Sequence, residues 1–262
     1  MDTISGAKAF LIRAQADDGS WGSRDTLVCA RAMYALMDDL PEDALINGLK
    51  YLEGCQAQDG HFSARTKMYT DASNTAYTLI VLNKFDYGKA SLPISKGILW
   101  LLENQGEDGS WGSNTRKKAY TTTLCLRALH TFYLSGIARF ARGVNFSLNY
   151  VENMDLDSEP VSHIYAPFLN LKRIGYLDKA LEERFIDHAM DASKKAVDEG
   201  QVADAAYLLG TLKSMGENEI SSLLGEWLAA VPARDGGFGK DLSSPSEPNW
   251  TALAVLAMTG RL

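Results

Sequence analysis

The chain has 262 residues, 46% of them hydrophobic and 23% charged, a composition that fits a globular protein and disfavours disorder, collagen-like repeats and a coiled coil. Lys and Arg number 26 against 33 Asp and Glu, and the net charge of −7 excludes a molecule built as a whole to attract nucleic acid or anionic lipid. No apolar run approaches the roughly 18 residues of a membrane span, Met1 to Ile12 lacks a basic start before an apolar stretch, and an intact cytoplasmic protein is expected. Cys29, Cys55 and Cys125 are widely spaced with no Cys-x-x-Cys pair, the pattern of buried thiols rather than of zinc or a redox switch.

Taken in chain order, the elements repeat. A helix-period segment over 3–15 runs into Gln15-Ala16-Asp17-Asp18-Gly19-Ser20-Trp21-Gly22, and a second segment follows over 25–38. The next pair, 42–57 and 72–84, is joined through Gln56-Ala57-Gln58-Asp59-Gly60-His61-Phe62. The third, 91–105 and 118–132, is joined through Gln105-Gly106-Glu107-Asp108-Gly109-Ser110-Trp111-Gly112. Two pairs with degenerate turns, 136–153 with 160–173 and 178–195 with 199–214, lead to a sixth, 216–231 and 248–260, joined through Arg234-Asp235-Gly236-Gly237-Phe238-Gly239. The motif aspartates lie 41, 49 and then 127 residues apart, the last gap being about three of the shorter periods.

The second members, such as 26–36 and 251–258, are apolar on nearly every side, whereas a first member such as 178–196 carries Glu182, Glu183, Arg184, Asp187 and Lys194. A helix apolar all round is buried and an amphipathic one faces water. Six helical hairpins, twelve helices in all, therefore predict an all-α fold, a closed (α/α)6 barrel forming one domain over 1–262. An open solenoid would need polar capping repeats at both ends, and the last helix, Asn249 to Leu262, is instead among the most apolar segments.

The intact Gln-x-x-Asp-Gly-Ser-Trp turns resemble the QW-type repeat of triterpene cyclases of the squalene–hopene kind and related class II terpene cyclases. The Asp-Gly-Gly-Phe-Gly copy is similar to protein prenyltransferase β subunits. In both families the resemblance implies a structural repeat, which agrees with its chemistry: Gly accepts a positive φ, Asp caps a helix, and the aromatic ring fills space between helices.

Chemistry is expected inside the barrel. Asp71-Ala72-Ser73-Asn74-Thr75-Ala76 is similar in position to the Asp-x-Asp-Asp-Thr-Ala motif of class II cyclases, whose middle aspartate protonates an alkene. By that resemblance Asp71 matches the first aspartate, Ser73 stands where the acid belongs and Asn74 where the last aspartate does. Asp71 is then the proton-handling candidate, with Ser73 and Asn74 to orient it; the alternative is that Asp71 simply starts the helix. Asp204-Ala205-Ala206-Tyr207 and Asn249-Trp250-Thr251 resemble the prenyltransferase zinc motifs, but Ala206 and Trp250 replace the cysteine and histidine, so neither zinc nor any other cofactor is expected.

Tyr69, Tyr77, Tyr120, Tyr165, Phe168, Tyr207 and Trp250 are candidates to line a substrate pocket with aromatic faces, and Asp204 to contact the substrate there. His163 is a further catalytic candidate on the fourth inner helix, ahead of Pro167. Arg65, Lys67 and Arg116-Lys117-Lys118 precede inner helices and suit an anionic headgroup or simple solvation. The expected function is a stand-alone terpene-cyclase-like enzyme, an isomerase or lyase acting on a small isoprenoid or other hydrophobic substrate. The alternative is a non-catalytic toroid that binds a hydrophobic ligand or a partner protein. A second barrel from a partner chain or a homo-oligomer are the expected assemblies.

Overall fold

In the computed structural model, which describes residues 2–63, 71–112 and 115–262, two concentric sets of helices alternate along the chain. The inner set is α2 (Thr26–Ala35), α4 (Asp71–Lys84), α6 (Thr115–Thr131), α8 (Val161–Arg173), α10 (Val202–Met215) and α12 (Pro248–Met258). The outer set is α1 (Thr3–Arg13), α3 (Glu42–Gly54), α5 (Leu92–Glu103), α7 (Ala138–Glu152), α9 (Lys179–Asp198) and α11 (Asn218–Ala230). Each inner helix packs on the next, and α12 packs on α2, so the ring is closed. Among the described residues extended pairing is limited to isolated bridges, Gln15 with Trp21 and Gln56 with Phe62. The fold is an all-α (α/α)6 barrel.

Hydrophobic patterning decides which helix is inside. α2 buries every residue from Thr26 to Ala35, whereas amphipathic α1 buries only Ala7 and Leu11 and α3 only Gly48, Tyr51 and Leu52. The expected boundaries are met to within three residues. At two of the shifts a glycine is the cause: Gly200 and Gly216 take positive φ, which delays the start of α10 and of α11.

The Asp-Gly-aromatic turn fastens the outer helices to one another. In the first turn the Gln15 amide donates to Gly19 O and, at 2.9 Å, to Ala44 O in the first turn of α3. Gln56 makes the same pair of bonds to Gly60 O and to Pro93 O in α5, and Gln105 to Gly109 O and Arg139 O in α7. The turn glycines have φ near +84° to +106° and lie flat against the next outer helix: a Cβ on Gly19 would overlap Asn47 O, one on Gly60 would sit 2.5 Å from Lys96 O, and one on Gly109 2.6 Å from Arg142 O. The sixth turn meets the first helix in the same way, with Gly236 against Gly6 O at 2.8 Å and Arg13 donating to Asp235 O at 2.9 Å.

The aromatic ring then wedges inward. Trp21, Phe62, Trp111 and Phe238 are all but fully buried. Trp21 Nε1 donates to Leu11 O and Trp111 Nε1 to Leu101 O, satisfying the indole. The backbone N–H of Phe62, Trp111 and Phe238 donates to Thr75, Thr122 and Thr251 on the adjoining inner helix. The Ser110 hydroxyl and N–H, with Lys118 behind them, hold the Asp108 carboxyl down at about 2, so the third turn keeps its charge. The fourth and fifth connections lack the motif. Residues 153–160 and 199–201 join the helices directly, and a groove of about 490 Å³ opens between α9 and α11, lined by Val197, Leu223 and Trp227 among others.

Inner helices end at the opposite face in a common C-cap. Tyr87, Leu134, Tyr176, Glu217 and Arg261 each donate back to a Leu carbonyl, and the preceding residue is left-handed: Asp86, Tyr133, Gly175, Gly216 and Gly260. Tyr133, exposed by 93%, holds φ +61° where its counterparts are mostly glycine. Replacing Tyr133 by Gly is expected to raise the unfolding free energy by about 0.5–1 kcal/mol, and Gly109→Ala to lower it by about 3 kcal/mol, both measured by urea denaturation. An equal cost for Gly109→Ala and Gly175→Ala, where nothing lies within 4 Å of the added Cβ, would show that turn packing is not the constraint.

Candidate functional site

Parallel inner helices bring their N-terminal turns to one mouth, where α4, α6, α8, α10 and α12 surround a cavity of about 350 Å³. Its walls carry the rings of Tyr120, Tyr207 and Trp250 and the small side chains of Ala166 and Ala203. Ser73, Thr121 and Ser162 supply hydroxyls, and Asp204 and His163 supply the titratable groups. Lys117 and Lys240 add two cations. Thus seven residues singled out from the sequence, Ser73, Lys117, Tyr120, His163, Asp204, Tyr207 and Trp250, meet around one cavity.

Asp204 sits in the first turn of α10, beside the loop that follows the sixth turn. That loop is tied down by Ala203 N–H donating to Lys240 O at 2.9 Å and by Leu242 N–H donating to Gly200 O at 3.0 Å. Burial raises the Asp204 carboxyl above its ordinary range, with Glu199 acting the same way, while Lys240 and Lys195 oppose the shift. His163 Nδ1 lies 3.4 Å from Glu159 Oε2. Pro167, four residues on, has no N–H to give the His163 carbonyl.

Arg31, 2% exposed, donates from Nη1 to Asn249 Oδ1 at 2.7 Å and lies 5.7 Å from the centre of the Tyr77 ring. Tyr77 is buried and does not line the cavity, and burial raises its phenol. Tyr165 and Phe168 turn the other way, toward α9: the Tyr165 hydroxyl bonds His188 Nδ1 at 2.6 Å, and Phe168 stacks on Phe185 with ring centroids 4.7 Å apart.

The Asp71 hexapeptide is divided among three places. Asp71 is exposed and lines a separate groove of about 350 Å³ with Trp100, Asp108 and Lys118, on the outer side of α4. Ser73 alone reaches the central cavity. Asn74 is buried, and its Oδ1 accepts from Leu27 N–H at 2.6 Å and Thr26 Oγ1 at 2.9 Å, so it caps the start of α2. Arg65, Lys67 and Tyr69, and the side chain of Arg116, lie outside the described residues. Lys118 is engaged by Asp108 at 3.0 Å. Lys117, from the basic group ahead of α6, does reach the cavity, and Lys240 is an addition that the sequence reading did not name. Lys240 directly follows the Asp-Gly-Gly-Phe-Gly turn, and a motif that leads into the mouth was the signal for it.

The fold places the chain among (α/α)6 barrels. No protein-family model matches the chain. Squalene–hopene cyclase from Zymomonas mobilis is 30% identical over 129 residues, 41% of this chain and 19% of that protein. The type II terpene cyclase MstE from Scytonema, solved with geranylgeranyl dihydroxybenzoate, superposes with a TM-score of 0.72 at 13% identity, covering 99% of this chain and 96% of that one. Protein geranylgeranyltransferase-I from Candida albicans, complexed with GGPP, gives a TM-score of 0.69 at 16% identity over 98% and 90% of the two chains. The chain shares the barrel of type II terpene cyclases and protein prenyltransferases. Among the described residues no group of His, Cys, Asp and Glu has the arrangement of a metal site, and no helix is long and apolar enough to cross a membrane.

A carboxyl whose native pKa is raised costs stability once the unfolded chain ionises. The cost is absent below the ordinary aspartate range, grows as pH rises through it, and is complete above the native value. Asp204→Asn is therefore expected to raise the melting midpoint at pH 7 and to lose that gain toward pH 3, as read by calorimetry at both values. A variant less stable than the parent at pH 7 would contradict the burial of Asp204.

Proposed function

We propose that the central cavity binds the chain of a hydrophobic isoprenoid and that the protein, acting as one barrel domain over 1–262, cyclises or isomerises it. The observation that carries this reading is a half-buried carboxyl, Asp204, set among Tyr120, Tyr207 and Trp250 in a cavity built at the mouth of a terpene-cyclase-like barrel. An alkene is a very weak base, so its proton donor must be a carboxylic acid that stays protonated in its site. Burial shifts Asp204 in that direction and places it on the cavity wall, whereas Asp71 is exposed and faces another groove.

In this reading the Asp204 O–H breaks, its proton forms a new C–H bond at a prenyl double bond, and the cation left on carbon faces the aromatic rings. A proton then leaves the neighbouring carbon to His163 or to the Asp204 carboxylate, so the product is an isomer of the substrate and no co-reactant is consumed. Ser73, Ser162 and Thr121 orient the acid or a polar group of the substrate. Lys117 and Lys240 suit an anionic head at the rim. Squalene–hopene cyclase and MstE, as similar proteins, support an isoprenoid substrate.

The test is product analysis by mass spectrometry with geranylgeranyl diphosphate and squalene, alongside binding measured by calorimetry. Asp204→Asn is expected to keep binding within a few-fold and to lose turnover by roughly 10²-fold or more, and Asp71→Ala to change turnover less than about threefold. Ala166→Phe, which fills the cavity, should abolish both. Binding without turnover in the parent protein would favour the non-catalytic toroid. Loss of turnover in Asp71→Ala but not in Asp204→Asn would move the site to the outer groove.

A further inference from the structure

Neighbouring outer helices are joined around the ring by a group that crosses from one to the next. At four joints that group is a turn glycine, lying against the backbone of Asn47, Lys96, Arg142 and Gly6. The fourth connection has no such turn, and Arg184, the sixth residue of α9, takes its place: it donates to Val151 O at 3.3 Å, to Glu152 O at 3.0 Å and to Met154 O at the end of α7. At the fifth connection the sixth residue of α11 is Leu223, an apolar side chain with no turn laid over it and 61% of its surface exposed. The next residue, Leu224, is itself buried where the corresponding Gly48 of α3 makes room for the Trp21 ring.

The joint left open is the groove of about 490 Å³ between α9 and α11. Met190 and Val197 form its wall on α9, and Ile220, Leu223, Leu224 and Trp227 form it on α11, where they recur at the i, i+3, i+4 and i+7 spacing of one helical stripe. The rims are acidic. Glu219 and Glu226 stand one turn to either side of Leu223, both exposed, and α11 carries no Lys or Arg. Along the exposed side of the second half of α9 and its C-cap, Asp187, Asp191, Asp198 and Glu199 outnumber Lys194 and Lys195, and Lys194 is engaged by Asp191 at 3.8 Å.

We propose that this groove docks a basic amphipathic helix of a partner protein, with its apolar residues seated on Leu223 and Trp227 and its Lys or Arg flanks against Glu219, Glu226 and Asp198. An apolar trough walled by two helices is the form that receives a third helix, and the charge of the rims selects the sign of the partner. A helix laid there closes the fifth joint as the turns and Arg184 close the others. The groove shares no residue with the central cavity, so the docking surface stands apart from the reading of that cavity.

A synthetic amphipathic helix of leucine and lysine, and its counterpart of leucine and glutamate, titrated into the full chain by calorimetry test the proposal. The lysine peptide is expected to bind one per chain and more weakly as salt rises, and the glutamate peptide not to bind. Leu223→Glu should weaken the lysine peptide at least roughly tenfold. Glu219→Lys combined with Glu226→Lys should weaken it too and flatten its salt dependence. Leu99→Glu, on α5 at 54% exposure, should leave binding unchanged, and because every position altered is exposed the fold is kept. No binding of the lysine peptide, equal binding of the two peptides, or a loss in Leu99→Glu as large as in Leu223→Glu would overturn the proposal. So would either of two other occupants. A dimer seen by sedimentation and abolished by Leu223→Glu would give the groove to a second copy of the chain, and flotation with phosphatidylcholine vesicles abolished by Leu223→Glu would give it to lipid.

Discussion

The structure depends on a flat contact between a turn and the backbone of the next helix. Glycine at the second position of each Asp-Gly turn leaves no room for a side chain, and the preceding glutamine stitches the turn to the first carbonyls of that helix. In the first, second, third and sixth hairpins, where the turn is present, the contact runs from one hairpin to its successor and sets the same step between them. The sixth turn finds α1 in the role of a seventh outer helix, with Gly236 on Gly6 and Arg13 on Asp235. Ring closure is thus the same local interaction applied once more.

Closure has a chemical consequence. It points the N-termini of the inner helices at one mouth and their C-caps at the opposite face, so the two ends of the lumen differ in character. At the mouth a carboxyl sits among aromatic rings, with its ionised form disfavoured by burial. Toward the opposite end Arg127 and Arg173 come from the last turns of α6 and α8. Arg31, Asn249 and Tyr77 are buried together, with Arg31 bonded to Asn249 and lying over the Tyr77 ring.

Much of this was legible in the sequence. The Gln15, Gln56 and Gln105 turns and the all-apolar second helices gave the hairpin count, and the apolar 249–262 segment gave closure. The aromatic and acidic residues that line the cavity were legible as positions near the starts of inner helices. What the sequence alone did not carry was helical phase. Asp71, Ser73 and Asn74 lie within one turn of helix, where a step of two residues reverses the direction of a side chain. One of them reaches the cavity, one caps α2 and one faces outward. Tyr165 and Phe168 were separated from Tyr120 and Tyr207 for the same reason, since an inner helix offers apolar residues to the outer layer as well as to the lumen. Lys240 lay in a loop with no periodicity to place it, and only the backbone bond from Ala203 brings it to the rim.

The central claim is that a carboxyl in the cavity gives its proton to a bound isoprenoid. It is tested most directly by incubating the protein with geranylgeranyl diphosphate and with squalene in heavy water and locating deuterium in the product by mass spectrometry. The account predicts a product isomeric with its substrate that carries solvent deuterium at the protonated carbon, and its disappearance in Asp204→Asn. A product free of solvent deuterium, or a labelled product undiminished in Asp204→Asn, would contradict it.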